Sequence, residues 1–185
     1  MEPNEKTIVL LGDSLFAYHD GWDKLDPEAK VVNLGRGGDN SFGVMGRVKD
    51  ACGHKPEIIF LEVGINDLLQ TRYFYDLIER HVLIWRTVAL MSPLSRLVVC
   101  SLLPINRKKL AGKNPSVISN HIEYTNQKLS HLAKIFRVEY VDVHKALAGS
   151  DGFLPDRMTQ DGVHLLGPGY EAFVECLKPW VTQVI

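Results

Sequence analysis

Short apolar runs alternate with longer amphipathic stretches along the whole chain. The short runs are rich in Ile, Val and Leu and apolar on both faces, which is typical of buried parallel strands. They lie at Thr7–Leu11, Val31–Leu34, Ile58–Val63, Leu97–Leu103 and Val138–Val143. The amphipathic stretches have helical periodicity and lie at Ser41–Cys52, Tyr73–Met91, Pro115–Phe136 and Tyr170–Val184. This alternation predicts a doubly wound α/β sheet of five parallel strands with right-handed crossovers.

The composition is that of one globular domain without a marked charge. The chain has 185 residues, and we expect a single domain over 1–185. Its 21 Lys and Arg residues nearly balance its 22 Asp and Glu residues, which leaves a net charge of −1. That balance argues against a dedicated nucleic-acid-binding protein. No apolar run approaches the ~20 residues that a membrane span needs.

The cysteines and the N-terminal residues predict a cytoplasmic protein. The three cysteines, Cys52, Cys100 and Cys176, are far apart and lack the close pairing of a metal or redox motif. We therefore expect free thiols in a reducing compartment. No basic start and long apolar stretch mark a secretory signal before the first predicted strand.

Polar residues and glycines cluster where the predicted strands end. In doubly wound sheets, ligands bind beyond the carboxyl ends of the strands. Gly12–Leu15, Asn33–Asp39 and Gly64–Asp67 follow the first three strands, and Asp161–Leu165 precedes the last helix. Together these segments supply a hydroxyl, a glycine-rich backbone, a carboxamide, a carboxylate and an imidazole, which are the parts of an acyl-transfer site.

Three of these residues suit nucleophilic catalysis. The Ser14 hydroxyl is a weak nucleophile at neutral pH and needs a base, which His164 can supply. The imidazole in turn needs an acceptor that orients it, and Asp161 lies three residues before it on the same turn. The backbone N–H groups of Ser14 and Gly38 and the side-chain amide of Asn66 are candidate donors to an oxyanion.

Other interpretations of these residues remain open. Ser14 could cap a helix, Asn66 could be a turn residue, and the glycines could serve a tight turn or cradle a phosphate. His144 lies beyond the fifth strand and two residues after Asp142, so this pair is an alternative base and orienting acid.

The four motifs resemble those of the SGNH subgroup of the GDSL esterase/lipase family. That family is defined by Ser, Gly, Asn and His in four blocks. Here they correspond to Ser14, Gly38, Asn66 and His164, with Asp161 as the third member of the triad.

The resemblance extends from Thr7 to about Tyr170 and implies both a fold and a reaction. The fold would be a flavodoxin-like three-layer α/β/α sandwich without a metal or cofactor. The reaction would be the hydrolysis of esters or thioesters through an acyl-enzyme. Gly35 and Gly37 lie next to Gly38 and are neighbouring candidates for the oxyanion glycine.

The substrate is less clearly indicated by the sequence. The chain shows no long lid, which favours small acyl groups, first of all O-acetyl groups on carbohydrates. Lysophospholipids and acyl thioesters are the alternative substrates that the family allows. Candidate substrate-binding residues are Asp13, Tyr18, His19 and Arg36, although Asp13 also suits a cap and the aromatic side chains also suit packing.

Partners and competing functions complete the expectations. The expected partner is a small-molecule ester, and the apolar helix Tyr73–Met91 suits either a homodimer contact or a core position. A function of another class would be a non-catalytic flavodoxin-like module that binds a phosphate or a nucleotide. Glu62, at the end of the third strand, could be a buried acid, although carboxylates at strand ends are usually solvated or paired.

Overall fold

The computed structural model of the chain describes residues 6–70, 75–110 and 112–182. In these residues, five parallel strands form one sheet in the order β2-β1-β3-β4-β5. The strands are β1 (Thr7–Gly12), β2 (Lys30–Gly35), β3 (Ile58–Glu62), β4 (Arg96–Cys100) and β5 (Glu139–Val141). The helices are α1 (Ser14–Ala17), α2 (Ser41–Gly53), α3 (Ile65–Gln70), α4 (Tyr75–Met91), α5 (Pro115–Phe136), α6 (Val143–Leu147) and α7 (Gly167–Thr182). Two short 3₁₀ helices lie at Gly21–Leu25 and Asp156–Met158.

Helices cover both faces of the sheet. Along β1, Val9 and Leu11 belong to a core that includes residues of α2, α4 and α5, whereas Ile8 and Leu10 belong to a core that includes residues of α1, α6 and α7. Side chains alternate between the faces of a strand, so a run that is apolar at every position fills both cores. The predicted α/β/α sandwich with a parallel sheet is confirmed.

The last two strands are shorter than the sequence predicts. The apolar run Leu97–Leu103 stays buried throughout, but β4 ends at Cys100. Beyond it, the backbone N–H and C=O of Leu102 bond to the side-chain amide of Asn126 on α5, not to a neighbouring strand. An apolar run therefore marks burial here, and only part of it is a strand.

The helices agree closely with the prediction, apart from their ends. α5 has the predicted bounds, and Asn114 caps it by accepting from the N–H groups of Ser116 and Val117. α7 begins at Gly167, three residues before the predicted start, and continues through Pro179. Tyr73 and Val184, the predicted ends of two helices, lie outside the described residues.

The apolar character of α4 is explained mainly by the core. Ile84, Trp85 and Val88 are almost completely buried, whereas Leu83 and Leu90 are exposed. Among the described residues, no helix has the length and apolar composition needed to cross a membrane.

The sheet order places the site. β1 lies between β2 and β3, and Gly12 at its carboxyl end is in register with Gly35 on one side and Glu62 on the other. The segments that follow these strands therefore meet at one edge of the sheet, next to the point where the strand order reverses.

Candidate active site

Ser14 lies in a tight turn between β1 and α1. It is the first residue of α1, and Asp13 caps this helix because its Oδ1 accepts from the N–H of Leu15 at 2.9 Å. Position 12, just before this turn, accepts only glycine, because a Cβ there would lie 2.1 Å from the carbonyl oxygen of Glu62. The turn is thus held by the sheet, and Ser14 is only 2% exposed.

The structure brings the imidazole of His164 onto the Ser14 hydroxyl. Oγ of Ser14 lies 2.9 Å from Nε2 of His164, and Nδ1 of His164 lies 2.5 Å from Oδ2 of Asp161. Because Asp161 accepts the hydrogen on Nδ1, Nε2 is left to accept the hydrogen of the serine hydroxyl. The three side chains form one continuous hydrogen-bonded chain.

Asp161 is fixed by its own loop. Its Oδ1 accepts from the N–H groups of Val163 and His164 at 3.0 and 2.9 Å. Partial burial raises the pKa of Asp161, but the hydrogen bonds from His164 and from these two N–H groups outweigh it and hold the pKa below its usual value. Asp161 is therefore a carboxylate at neutral pH, as an orienting acceptor must be.

The candidate oxyanion donors lie at the ends of the adjacent strands. Gly38 has a φ of 74°, which a residue with a side chain adopts only with strain, and a Cβ there would meet nothing within 4 Å. The amide nitrogen of Asn66 donates one of its two hydrogens to the carbonyl of Asp39 at 2.8 Å, which leaves its second hydrogen for another acceptor. Within the described residues, no hydrogen bond uses the N–H of Ser14 or Gly38.

Comparison with known proteins identifies the family. The profile of the GDSL-like Lipase/Acylhydrolase family matches residues 10–172. The chain belongs to this family. Platelet-activating factor acetylhydrolase IB subunit alpha2 of Homo sapiens is 26% identical, with 98% of this chain and 78% of that protein covered. The Rattus norvegicus subunit gives the same values.

Solved structures show the same architecture. A Streptococcus pneumonia protein superposes with a TM-score of 0.83 at 26% identity, covering 98% of this chain and 86% of that one. A GDSL-like lipase from Bacteroides thetaiotaomicron superposes with a TM-score of 0.79 at 19% identity, covering 98% and 91%. The resemblance carried by the four motifs is confirmed, and the chain is a carboxylester hydrolase of the GDSL type. The alternative of a non-catalytic binding module is therefore set aside.

An arginine that the sequence analysis did not single out supports the second motif of this GDSL hydrolase. The guanidinium of Arg47, on α2, contacts the Asp39 carboxylate at 2.5 Å. It also donates to the carbonyls of Leu34 and Gly12 at 2.5 and 3.0 Å. Arg47 thus connects the ends of β1 and β2 to the loop that contains Gly38. Its signal in the sequence is a charged residue at position 47, between the buried positions Val44 and Val48.

A second buried ion pair supports the third motif. Asp67 accepts from the backbone N–H and the hydroxyl of Ser41 at 2.9 and 2.5 Å, and Arg80 lies 3.5 Å away. These contacts join α3, which carries Asn66, to the start of α2. Asp67 therefore braces the loop of the third motif through contacts with two other helices.

The four candidate substrate-binding residues have different environments. Asp13 is completely buried and caps α1, and its contact with a substrate stays a prediction. His19 stacks on Tyr170 with ring centroids 4.4 Å apart. Tyr18 is 61% exposed and its ring centroid lies 5.1 Å from that of His164, while Arg36 is exposed. Tyr18 and Arg36 are thus the most exposed of the four, while His19 is half-buried against Tyr170.

The alternative base is not at this site. The N–H of His144 donates to Ser101, its ring lines a separate cavity against α5, and Asp142 caps α6 through the N–H of Lys145. The Ser14 hydroxyl has His164 as its partner instead. In the described residues, no group of three or more His, Cys, Asp or Glu side chains could hold a metal ion.

Proposed function

We propose that the chain hydrolyses short-chain carboxylic esters through an acyl-enzyme on Ser14. The observation that carries this proposal is the hydrogen-bonded chain from Ser14 through His164 to Asp161 at the carboxyl edge of the sheet. It supplies a nucleophile, a base within reach of its proton, and a carboxylate that fixes the tautomer of the base.

The reaction proceeds in two halves. As Oγ of Ser14 attacks the ester carbon, His164 takes the hydroxyl proton; the tetrahedral intermediate then collapses, and His164 gives that proton to the departing alcohol oxygen. In the second half, His164 takes a proton from water as the water oxygen attacks the acyl carbon. The bond to Ser14 breaks, Oγ regains the proton, and a carboxylic acid leaves.

The oxyanion of each intermediate would be held by three donors. They are the N–H groups of Ser14 and Gly38 and the remaining hydrogen of the Asn66 amide. Because these donors are fixed before substrate arrives, they need no reorganisation as charge develops. The hydrogen bond from the Asn66 amide to the carbonyl of Asp39 fixes the orientation of this amide.

We infer that the acyl group is acetyl or similarly small, and that O-acetyl groups on carbohydrates are the first substrates to test. The curated relatives are named acetylhydrolases, which favours the acetyl group. The exposed ring of Tyr18 beside His164 offers a flat surface on which a sugar ring can stack. Arg36 is exposed in the same loop as Gly38, so its guanidinium is accessible to an anionic leaving group.

A second candidate is a lysophospholipase or acyl-thioesterase. It is favoured by the fold shared with a GDSL-like lipase, and by exposure of the imidazole, which leaves room for a longer acyl chain. The two candidates differ in the length of acyl chain they turn over, so one measurement separates them.

The test is hydrolysis of p-nitrophenyl esters from acetyl to palmitoyl by the wild type and by Ser14→Ala. We expect kcat/KM to fall steeply beyond short chains, and we expect Ser14→Ala to lose about 10⁴-fold or more, since Ser14 forms the bond to the acyl group. A maximum at long chains favours the lysophospholipase or thioesterase. Equal turnover by Ser14→Ala and the wild type would contradict Ser14 as the nucleophile.

A further inference from the structure

Two carboxyl groups are completely buried directly beneath Ser14. Asp13 precedes the serine, and Glu62 ends β3 in register with Gly12 on β1; both are 0% exposed. The two side chains are close enough to act on each other's ionisation, yet Oδ2 of Asp13 and both oxygens of Glu62 are buried and accept no hydrogen bond from another described group. The reaction proposed above uses neither group, so the pair needs its own explanation.

The close approach of two buried carboxyl groups requires a proton between them. Oδ1 of Asp13 accepts from the N–H of Leu15, but no other described group donates to Oδ2 of Asp13 or to either oxygen of Glu62. Two ionised carboxylates have no hydrogen to share and repel each other at this depth. One of the two is therefore protonated in the folded protein.

Burial and the neighbouring groups decide which carboxyl holds the proton. Burial raises the pKa of Glu62 well above its usual value, and the adjacent Asp13 raises it further. Burial also raises the pKa of Asp13, to about 7. Three neighbours oppose this rise: the backbone N–H of Leu15, the side chain of Glu62 and the imidazole of His164. Glu62 thus keeps its proton at neutral pH, while Asp13 is the group that ionises.

Of the other titratable groups around the pair, two are neutral and two act on the ionisation of Asp13 in opposite directions. Burial raises the pKa of the Cys100 thiol on β4 and of the Tyr170 phenol on α7, so both are neutral. The carboxylate of Asp67 on α3 opposes ionisation of Asp13, and His164 favours it. His164 is cationic during the reaction, when it holds the serine proton, and a carboxylate at Asp13 stabilises that cation.

We propose that Glu62 is a positioning residue whose protonated carboxyl donates to Asp13 and holds the Asp13 carboxylate on the N–H of Leu15, in the turn that carries Ser14. This inference rests on the proposed role of Ser14 as nucleophile. Glu62 touches no substrate; it acts through Asp13 on the geometry of the turn and on the charge beside His164.

The enzyme's activity should depend on pH through the ionisation of Asp13. Below about pH 7, Asp13 takes up a proton, and the carboxylate that caps α1 and faces His164 is lost. His164 must also be unprotonated to act as a base. We therefore expect kcat/KM to fall as the pH drops through about 7, because the Asp13 carboxylate is lost there.

The test compares Glu62→Gln, Glu62→Leu and the wild type over a range of pH on both sides of neutrality. Gln donates to Asp13 as the protonated carboxyl of Glu62 does, so the Asp13 carboxylate keeps its donor and its place on the N–H of Leu15. We expect Glu62→Gln to keep most of kcat and to show the same fall of activity at acid pH as the wild type. Glu62→Leu leaves Oδ2 of Asp13 buried without a donor, and we expect it to lose kcat at every pH while KM changes little.

The matched control is Phe60→Leu, which changes the same face of β3 within the same core and removes no hydrogen-bonding group. It should lower the free energy of unfolding and leave the pH profile unchanged. The proposal is overturned if Glu62→Gln loses as much kcat as Glu62→Leu, or if Phe60→Leu loses as much kcat as Glu62→Leu does.

A second readout separates failure of this proposal from failure of the proposed function. If the wild type shows no Ser14-dependent turnover, the proposed function fails, and the shared proton is tested by unfolding alone. A carboxyl with a raised pKa binds a proton in the folded state that the unfolded state releases, so stability falls as pH rises. Glu62→Gln should therefore become more stable relative to the wild type as pH rises, and a difference that is constant with pH contradicts the shared proton.

Discussion

The two halves of the candidate active site are held in place by different means. The half that carries Ser14 is buried: Ser14 is 2% exposed and Asp13 is 0% exposed. The half that carries His164 is open, since the side chains of His164 and Asp161 are 37% and 52% exposed. Ser14 is positioned by strand pairing, whereas His164 and Asp161 are positioned by hydrogen bonds within one loop.

This difference separates stability from activity. Changes in the buried half disturb packing, ion pairs and chain geometry that the whole sheet depends on, so they should affect folding and turnover together. Changes in the open half remove groups that make few contacts outside their loop, so they should affect turnover alone. The three predictions below test this separation, beginning with the largest expected effect.

The first prediction concerns the open half. His164→Ala should lower kcat by about 10⁶-fold and Asp161→Ala by about 10⁴-fold, because the base is indispensable and its acceptor only orients it. Both variants should keep the free energy of unfolding within about 0.5 kcal/mol of the wild type, as surface substitutions usually do. Steady-state kinetics and urea unfolding measure the two quantities.

Two results would count against this view of the open half. Equal losses of kcat in the two variants would mean that Asp161 does more than orient the imidazole. A large loss of stability in either variant would mean that the loop supports the rest of the fold.

The second prediction concerns the oxyanion donors, which join the two halves. Asn66→Ala should lower kcat by about 10²–10³-fold with little change in KM, since the amide acts on the transition state. Gly38→Ala is the matched comparison, because the N–H remains and the added Cβ meets no atom, but φ of 74° strains it by about 1–2 kcal/mol. We expect its kcat to fall less than that of Asn66→Ala, and the reverse order would place the principal donor at Gly38.

The third prediction concerns the buried half. Arg47→Ala leaves the Asp39 carboxylate without its guanidinium and frees two backbone carbonyls, so it should cost about 3 kcal/mol of unfolding free energy. Arg36→Ala, in the same loop but exposed, should change stability by no more than about 0.5 kcal/mol. Thermal and urea unfolding of both variants measure this contrast, and equal stabilities would contradict the anchoring role of Arg47.

The sequence predicts those features that depend on short stretches of chain. The period of apolar residues locates the strands, and Asp161 with His164 forms a unit whose spacing is visible in four consecutive residues. Ser14, Gly38 and Asn66 were found because the parallel sheet brings strand ends together. The geometry agrees with that grouping, and their catalytic roles stay a prediction.

What the sequence could not predict depends on pairing between distant segments. Asp13 follows β1 as an apparent site residue, yet it is buried because Gly12 pairs with Glu62 in the next strand of the sheet. Arg47 reaches Asp39 only because α2 packs back over the ends of β1 and β2. The residues within one short segment do not determine the register of a strand pair or the direction in which a helix packs back on the sheet.

The lack of space around Gly12 bears on how such enzymes are found. A methyl group at this position would collide with the main chain of β3, whatever reaction the site performs. In the tripeptide Gly-Asp-Ser, therefore, the first residue is not dictated by the chemistry. The first is dictated by the distance between two strands. A sequence search for the tripeptide therefore finds chains that share this close strand pairing, whether or not they are esterases.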